Sequence, residues 1–116
     1  MVKFNKYVPQ RGDIVWLDFS PQTGHEQAGK RPAVCISPGE YNKKVGLAIF
    51  CPITSQVKGY PFEVNLPKGC PVKGVILSDQ VKNLDWSERK IEFICELPED
   101  KLVEVLCKIE ALIHRM

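Results

Sequence analysis

Short segments with alternating apolar and polar residues, separated by glycine and proline turns, make up most of the chain. The segment Ile14 to Phe19 shows the alternation most clearly, because Val15, Leu17 and Phe19 fall on one face of an extended strand. The other segments that we predict as strands are 33–36, 47–53, 62–66 and 91–95, with a further apolar segment, 74–78, that leads into 79–84. Between the second and third strands, residues 40–44 form a polar connection with room for one helical turn.

The periodicity changes after Pro98. The apolar residues beyond it recur at helical spacing and form one stripe: Leu102, Val105, Leu106, Ile109, Leu112 and Ile113. Pro98 suits the first position of a helix, acidic residues follow it, and His114 and Arg115 suit the last turn. The sequence therefore predicts a C-terminal helix that packs as a lid on a small sheet.

Several short strands with one terminal helix are typical of a compact β-barrel or a strongly bent sheet. A length of 116 residues fits one domain, and the chain shows no internal repeat, low-complexity tract or linker. We therefore expect a single, mainly β domain over residues 1–116.

Composition and charge narrow the function classes only slightly. Hydrophobic residues make up 44% and charged residues 26%, which is ordinary for a globular protein. The net charge of +2 permits nucleic-acid binding without requiring it. The longest apolar run, 45–53, is too short to span a bilayer, and the N-terminus lacks the apolar core of a signal peptide. The sequence predicts a cytoplasmic protein with no membrane segment.

The five cysteines are odd in number, and no two have the close spacing of a zinc or redox motif. Four of them lie in apolar segments, where a free cysteine behaves as a small hydrophobic residue, whereas Cys70 lies in a Gly/Pro loop. We expect all five to be structural, and we expect no metal and no cofactor.

The loop from Gly24 to Pro32 carries the densest candidate chemistry. It gathers a histidine, a carboxylate, an amide and two cations between two predicted strands. Loops held by rigid strands often carry binding and catalytic groups, although a solvated hairpin tip has a similar composition. The residue types alone leave both interpretations open.

Five ordered segments resemble the MazF/PemK toxin family. They are Arg11-Gly12-Asp13-Ile14-Val15-Trp16, Gly24-His25-Glu26-Gln27-Ala28-Gly29-Lys30-Arg31-Pro32, Pro52-Ile53-Thr54-Ser55-Gln56, Lys58-Gly59-Tyr60-Pro61-Phe62-Glu63-Val64 and Asp79-Gln80-Val81-Lys82. The resemblance covers essentially the whole chain and is closest to the MazF branch. It implies an SH3-like small barrel with a C-terminal helix, a homodimer, and the toxin of a type II toxin–antitoxin system. The implied activity is a metal-independent, sequence-specific endoribonuclease that cleaves single-stranded mRNA and inhibits translation and growth, and the implied partner is a MazE-like antitoxin.

The same resemblance assigns catalytic roles. Metal-free cleavage uses the ribose 2′-OH as the nucleophile and leaves a 2′,3′-cyclic phosphate and a 5′-OH. Arg31 matches the motif arginine of the family, and its planar guanidinium suits a phosphate. Thr54 matches the family's active-site hydroxyl, and Glu26 matches the motif glutamate, as the base or as a group that orients Arg31. His25 could share the acid–base chemistry or be a surface histidine.

One departure from the PemK branch limits this transfer. That branch pairs an arginine with an aspartate for acid–base catalysis, and the matching residues here are Leu77 and Asp79. Because Leu77 cannot act as the arginine does, we expect Asp79 to be structural and to fix a turn before Gln80.

Further residues are candidates for RNA contacts or for a solvated surface: Gln27, Lys30, Ser55, Gln56 and Lys58. Phe62, Tyr60 and Trp86 are candidate platforms for base stacking, although each could instead belong to the core.

Two alternatives belong to other classes of function. A gyrase poison such as CcdB shares the barrel but ends in Trp-Gly-Ile, whereas this chain ends in Ile113-His114-Arg115-Met116. A catalytically silent barrel would only bind RNA or an antitoxin, and the combination of Glu26, Arg31 and Thr54 argues against it.

Overall fold

Seven strands and two helices form the framework of residues 7–20 and 29–114, the part of the chain that this computed structural model describes. The strands are β1 (Asp13–Asp18), β2 (Lys30–Cys35), β3 (Ala48–Thr54), β4 (Glu63–Asn65), β5 (Val75–Leu77), β6 (Lys82–Leu84) and β7 (Glu92–Glu96). The helices are α1 (Gly39–Val45) and α2 (Glu99–His114), and one 3₁₀ turn covers Trp86–Glu88.

The strands form one antiparallel, strongly bent sheet in the order β4-β5-β3-β2-β1-β7. β3 links the two halves of the sheet, because it pairs with β6 at residues 48–50 and with β5 at Ile53 and Thr54. A register shift between Ile14 and Val15 bends β1 where it pairs with β7. The observed architecture confirms the predicted mainly β fold with a terminal helix.

One face of the sheet packs under α2. Its buried cluster includes Ile14, Val34, Ile53 and Ile76, and Val105 of the helix is fully buried against it. The partly buried helix residues that complete the contact are Leu102, Leu106 and Ile109. Since these positions belong to the stripe read from the sequence, the predicted role of the helix as a lid is confirmed.

The other face holds a second buried cluster, which includes Val15, Leu17, Phe19 and Phe50. Three partly buried residues from segments outside β1, β2 and β3 pack against this cluster: Tyr7, Leu84 and Trp86. Both faces of β1 are therefore buried near its start, and only Trp16, 38% exposed, emerges from the strand.

Several boundaries differ from the sequence prediction. β2 begins at Lys30 rather than at Ala33, because Lys30, Arg31 and Pro32 continue the ladder with β1. The polar connection after β2 is the seven-residue helix α1, which Gly46 ends in the left-handed conformation. Helix α2 begins at Glu99, so Pro98 precedes its first residue.

The cysteines also differ in part from expectation. Cys35 and Cys51 are buried, and burial raises the pKa of the Cys51 thiol to about 12. Cys107, expected in an apolar environment, is exposed, since it lies on the outer side of α2. Cys70 lies in the predicted Gly/Pro loop and packs, partly buried, against the core cluster under α2.

Neither of the two helices combines the length and the apolar composition needed to cross a bilayer, as far as residues 7–20 and 29–114 are concerned.

Candidate active site

Two of the predicted catalytic residues, Arg31 and Thr54, lie near the ends of the neighbouring strands β2 and β3. The recorded pairs run from Cys35 opposite Phe50 to Ala33 opposite Pro52. Arg31 and Thr54 each lie two residues beyond the Ala33–Pro52 pair, where this ladder ends. The fold therefore places these two residues on neighbouring strand ends.

Thr54 is almost completely buried, at 6% exposure, where β3 ends. Its hydroxyl oxygen accepts a hydrogen bond from the backbone N–H of Gln56, 3.1 Å away. This bond fixes the turn that follows β3, and a hydroxyl that accepts one bond can still donate its own proton.

Arg31 lines a cleft of about 260 Å³ on one side of the β3 end. We call it the Arg31 cleft, and its lining residues are Trp16, Arg31, Pro32, Ile53, Ser55, Pro71, Val72 and Lys73. Among the described residues, its ionisable lining groups are two cations, Arg31 and Lys73. Such a lining favours an anion, and the guanidinium is suited to bind a phosphate through two hydrogen bonds.

Thr54 lines a second cleft, of about 410 Å³. This Thr54 cleft is formed by Thr54, Gln56, Lys58, Tyr60, Glu63, Leu77, Asp79 and Gln80. It holds one cation and two carboxylates together with amide, hydroxyl and phenol groups. Residues 53–56 separate the two clefts, since Ile53 and Ser55 line the first and Thr54 and Gln56 line the second.

The Glu63 carboxylate holds the loop that carries Lys58 and Tyr60. It accepts hydrogen bonds from the backbone N–H groups of Lys58 and Gly59, at 3.0 and 2.9 Å. This pair of bonds positions the 58–60 segment at the rim of the Thr54 cleft, where Tyr60 is 54% exposed.

Asp79 lies in a turn, since the backbone N–H of Gln80 donates to the carbonyl of Leu77 over 3.2 Å. The turn that we expected is present. The Asp79 residue is also exposed and lines the Thr54 cleft, together with Leu77. Sequence reasoning assigned Asp79 only to the turn, and it did not identify this position in a cleft.

Lys30 lies in neither cleft. Its ammonium group is 3.4 Å from the Glu92 carboxylate of β7, and both side chains are largely exposed. An exposed pair of this kind contributes little to stability, about 0–1 kcal/mol.

His25, Glu26 and Gln27 lie outside the described residues. The described chain stops at Ser20 and resumes at Gly29, where the backbone N–H of Phe19 donates to the Gly29 carbonyl over 2.8 Å. Among the described residues, no group of three or more His, Cys, Asp and Glu side chains could hold a metal ion.

The aromatic candidates separate into two environments. Trp86 packs against the second core cluster and donates its indole N–H to the Asn42 carbonyl over 3.1 Å. It is therefore a packing residue rather than a stacking platform. Tyr60 is at the cleft rim in edge contact with Phe62, and Trp16, which sequence reasoning did not single out, lines the Arg31 cleft. Trp16 stands out as a cleft residue only in the structure, because it is exposed whereas most of β1 is buried.

Comparison with known proteins gives consistent matches along the chain. The family described as PemK-like, MazF-like toxin of type II toxin–antitoxin system matches residues 10–113. The endoribonuclease toxin MazF of Escherichia coli K12 is 46% identical over 109 residues, which cover 94% of this chain and 97% of that protein.

Solved structures give the same result. The crystal structure of MazF from Deinococcus radiodurans (Form-I) superposes with a TM-score of 0.91 at 51% identity, covering 93% of this chain and 98% of that one. A MazE–MazF crystal structure (Form-II) from the same organism gives a TM-score of 0.86 at 50% identity, covering 96% of this chain and 100% of the other.

Proposed function

The chain belongs to the PemK-like, MazF-like toxins of type II toxin–antitoxin systems, and from this premise we propose how its two clefts cut RNA. It is an endoribonuclease toxin. Our proposal is that single-stranded mRNA crosses the end of β3, with a phosphate in the Arg31 cleft and an adjoining base in the Thr54 cleft.

Cleavage proceeds by attack of the ribose 2′-OH on the neighbouring phosphorus. The 2′-OH loses its proton, negative charge builds up on the phosphoryl oxygens, and the 5′-oxygen leaves. The products are a 2′,3′-cyclic phosphate and a 5′-OH, and translation and growth stop because mRNA is cut.

Arg31 binds and neutralises the phosphoryl oxygens as charge develops on them. The observation that carries this assignment is its position in a cleft with a second cation, Lys73, and no carboxylate among the described lining residues. A preorganised donor at developing charge is usually the largest single contribution to catalysis, and losing one costs about 100- to 1000-fold in rate.

Thr54 supplies a hydroxyl donor to the same phosphate from the adjacent strand end. Its support is its position at the end of β3, beside the strand that carries Arg31, and the hydrogen bond from Gln56 that holds its side chain. Ser55, Gln56 and Lys58 then contact the flanking nucleotides, since Ser55 lines one cleft and the other two line the second.

The acid–base groups in this proposal come from the sequence motif. Glu26 acts as the base or orients Arg31, His25 shares the proton transfers, and Gln27 contacts RNA. Lys30 remains a more peripheral RNA contact, because its present partner is the exposed Glu92 carboxylate.

The partners in the proposal follow from the family. The protein is one MazF/PemK-like domain over residues 1–116 that works as a homodimer in the cytoplasm, without a metal cofactor, and a MazE-like antitoxin neutralises it. Support comes from the structures of related MazF chains bound to MazE.

Cleavage of a defined single-stranded RNA in EDTA tests the reaction. We expect cuts at one recurring sequence, with 2′,3′-cyclic phosphate and 5′-OH ends, and no cut in a matched RNA that carries one 2′-deoxynucleotide at the cut site. Chelator-sensitive cleavage, or cleavage of the deoxy-substituted RNA, would contradict the mechanism. Binding without cleavage would instead identify a silent barrel, and inhibition of gyrase without RNA cleavage would identify a gyrase poison.

A further inference from the structure

The connection between β3 and β4 carries two residues of the Thr54 cleft, Lys58 and Tyr60. We call residues 57–62 of this connection the Tyr60 loop. Residues 57–61 are exposed. The backbone groups of an exposed loop can hydrogen-bond to water, so partners within the protein at these groups show that the position of the loop is fixed.

The first partner of the loop is Glu63, the first residue of β4. Its carboxylate accepts hydrogen bonds from the backbone N–H groups of Lys58 and Gly59, at 3.0 and 2.9 Å. Its own backbone N–H donates to the Tyr60 carbonyl over 3.1 Å. These three bonds fix the shape of the loop, but they do not fix its orientation relative to the rest of the protein.

The second partner is Lys108, which lies on α2. Its ammonium group donates to the Pro61 carbonyl and to the Glu63 carbonyl, the latter over 3.2 Å. The Glu104 carboxylate, one turn earlier in the helix, is 3.8 Å from the same nitrogen. Lys108 therefore connects the helix that covers the sheet to the loop that borders the Thr54 cleft.

A third partner holds the carbonyl that lies between these two. The backbone N–H of Ser78 donates to the Phe62 carbonyl over 3.3 Å, and the Ser78 hydroxyl donates to the same oxygen. Ser78 is fully buried, so its position is fixed by the core. The carbonyls of residues 61, 62 and 63 thus accept bonds from two separate parts of the fold, α2 and the segment after β5.

The contact made by Lys108 has a cost that stability alone does not explain. A lysine side chain has many rotamers in solution, and it loses most of that freedom when its ammonium group is held by two fixed acceptors. The exposed Pro61 carbonyl could accept a hydrogen bond from water instead. The specific result of the contact is the placement of the Tyr60 loop.

We propose that Lys108 is a positioning residue for RNA binding, because it sets the Tyr60 loop at the rim of the Thr54 cleft. The Tyr60 ring lies in edge contact with Phe62, with ring centroids 6.3 Å apart, so the backbone that Lys108 and Ser78 hold also orients this ring. The proposal rests on the proposed function, since it takes this cleft as the site of a base. It gives α2 a second role besides covering the sheet.

Lys108→Met tests the proposal, because it keeps most of the length of the side chain and removes the ammonium group. We expect KM for RNA to rise by about three- to tenfold, while kcat at saturating RNA stays within about twofold of the wild type. Lys108→Arg should keep KM within about twofold, since a guanidinium can also donate to two carbonyls.

Lys101→Met is the matched control. Lys101 lies on the same helix, 3.8 Å from the same Glu104 carboxylate, and among the described residues its side chain donates to no carbonyl of the loop. Each variant loses one contact with Glu104. A purely structural role of Lys108 would therefore give the two variants similar melting temperatures and leave KM unchanged in both.

Amide hydrogen exchange of the full chain without RNA measures the positioning directly. In Lys108→Met, the backbone N–H groups of Lys58 and Gly59 should exchange about threefold faster or more, whereas Lys101→Met should match the wild type. Glu63→Gln tests the loop from its other partner, because the amide keeps one acceptor oxygen of two, and it should change exchange and KM in the same direction.

The outcomes separate this proposal from the proposed function. A wild-type protein that does not cleave RNA contradicts the proposed function. Wild-type cleavage with an unchanged KM in Lys108→Met contradicts only the role of Lys108. An equal rise of KM in Lys101→Met, a fall in kcat as large as the rise in KM, or unchanged exchange at Lys58 and Gly59 would also overturn that role.

Discussion

The two clefts beside the β3 end are neighbours, but they differ in charge and in chemistry. In the part of the chain that the structure describes, the ionisable residues of the Arg31 cleft are Arg31 and Lys73. The Thr54 cleft combines Lys58 with the carboxylates of Glu63 and Asp79, and it adds the ring of Tyr60. One side is therefore cationic, and the other is nearly balanced in charge.

This difference indicates that the two clefts bind different parts of one RNA strand. A phosphate carries no sequence information and needs positive charge, whereas a base is identified by hydrogen bonds and stacking. The division follows from the alternation of residues where β3 ends, because Ile53 and Ser55 line the first cleft whereas Thr54 and Gln56 line the second. The comparison predicts that loss of Arg31 or of the Thr54 hydroxyl, the two groups assigned to the reacting phosphate, slows the chemical step, and that loss of the Tyr60 ring weakens binding.

The largest effect is expected for Arg31→Ala, which removes the cation at the reacting phosphate. We expect kcat to fall by about 100- to 1000-fold, while circular dichroism and the melting temperature stay close to those of the wild type. Lys44→Ala is the matched control, because it removes an exposed cation on α1, outside both clefts. A purified Arg31→Ala protein that keeps wild-type turnover would remove the central role of this residue.

A smaller loss is expected for Thr54→Val, which replaces the hydroxyl with a methyl group of similar size. Without this donor, kcat should fall by about tenfold or more, and the lost bond to Gln56 should lower the free energy of unfolding by about 1 kcal/mol. Thr54→Ser keeps the hydroxyl and should retain most of the rate. If Thr54→Val lowers stability but leaves kcat unchanged, the residue is structural.

The smallest effect is expected for Tyr60→Ala in the Thr54 cleft. Loss of one stacking ring should raise KM by about tenfold and leave kcat at saturating RNA nearly unchanged. Tyr60→Phe preserves the ring, so its KM should match that of the wild type. An unchanged KM in Tyr60→Ala, or an equal loss in kcat, would argue against separate roles for the two clefts.

The sequence predicted local structure well where a periodic pattern was long. The stripe from Leu102 to Ile113 predicted α2, and the alternation from Ile14 to Phe19 predicted β1, within one or two residues of the observed bounds. Predictions were less accurate for α1, whose polar surface and short length give a weak signal. Arg31 and Thr54 could be named in advance only because their surrounding motifs resemble a known family.

What the sequence determined by itself was therefore the strands, the terminal helix, the family and the residue types available for chemistry. The tertiary structure decided which of these residues meet: Thr54 and Asp79 line one cleft, and Trp86 packs against the second core cluster. The reason is that periodicity records which face of an element is buried. It carries no information on which distant segments become neighbours when the sheet bends.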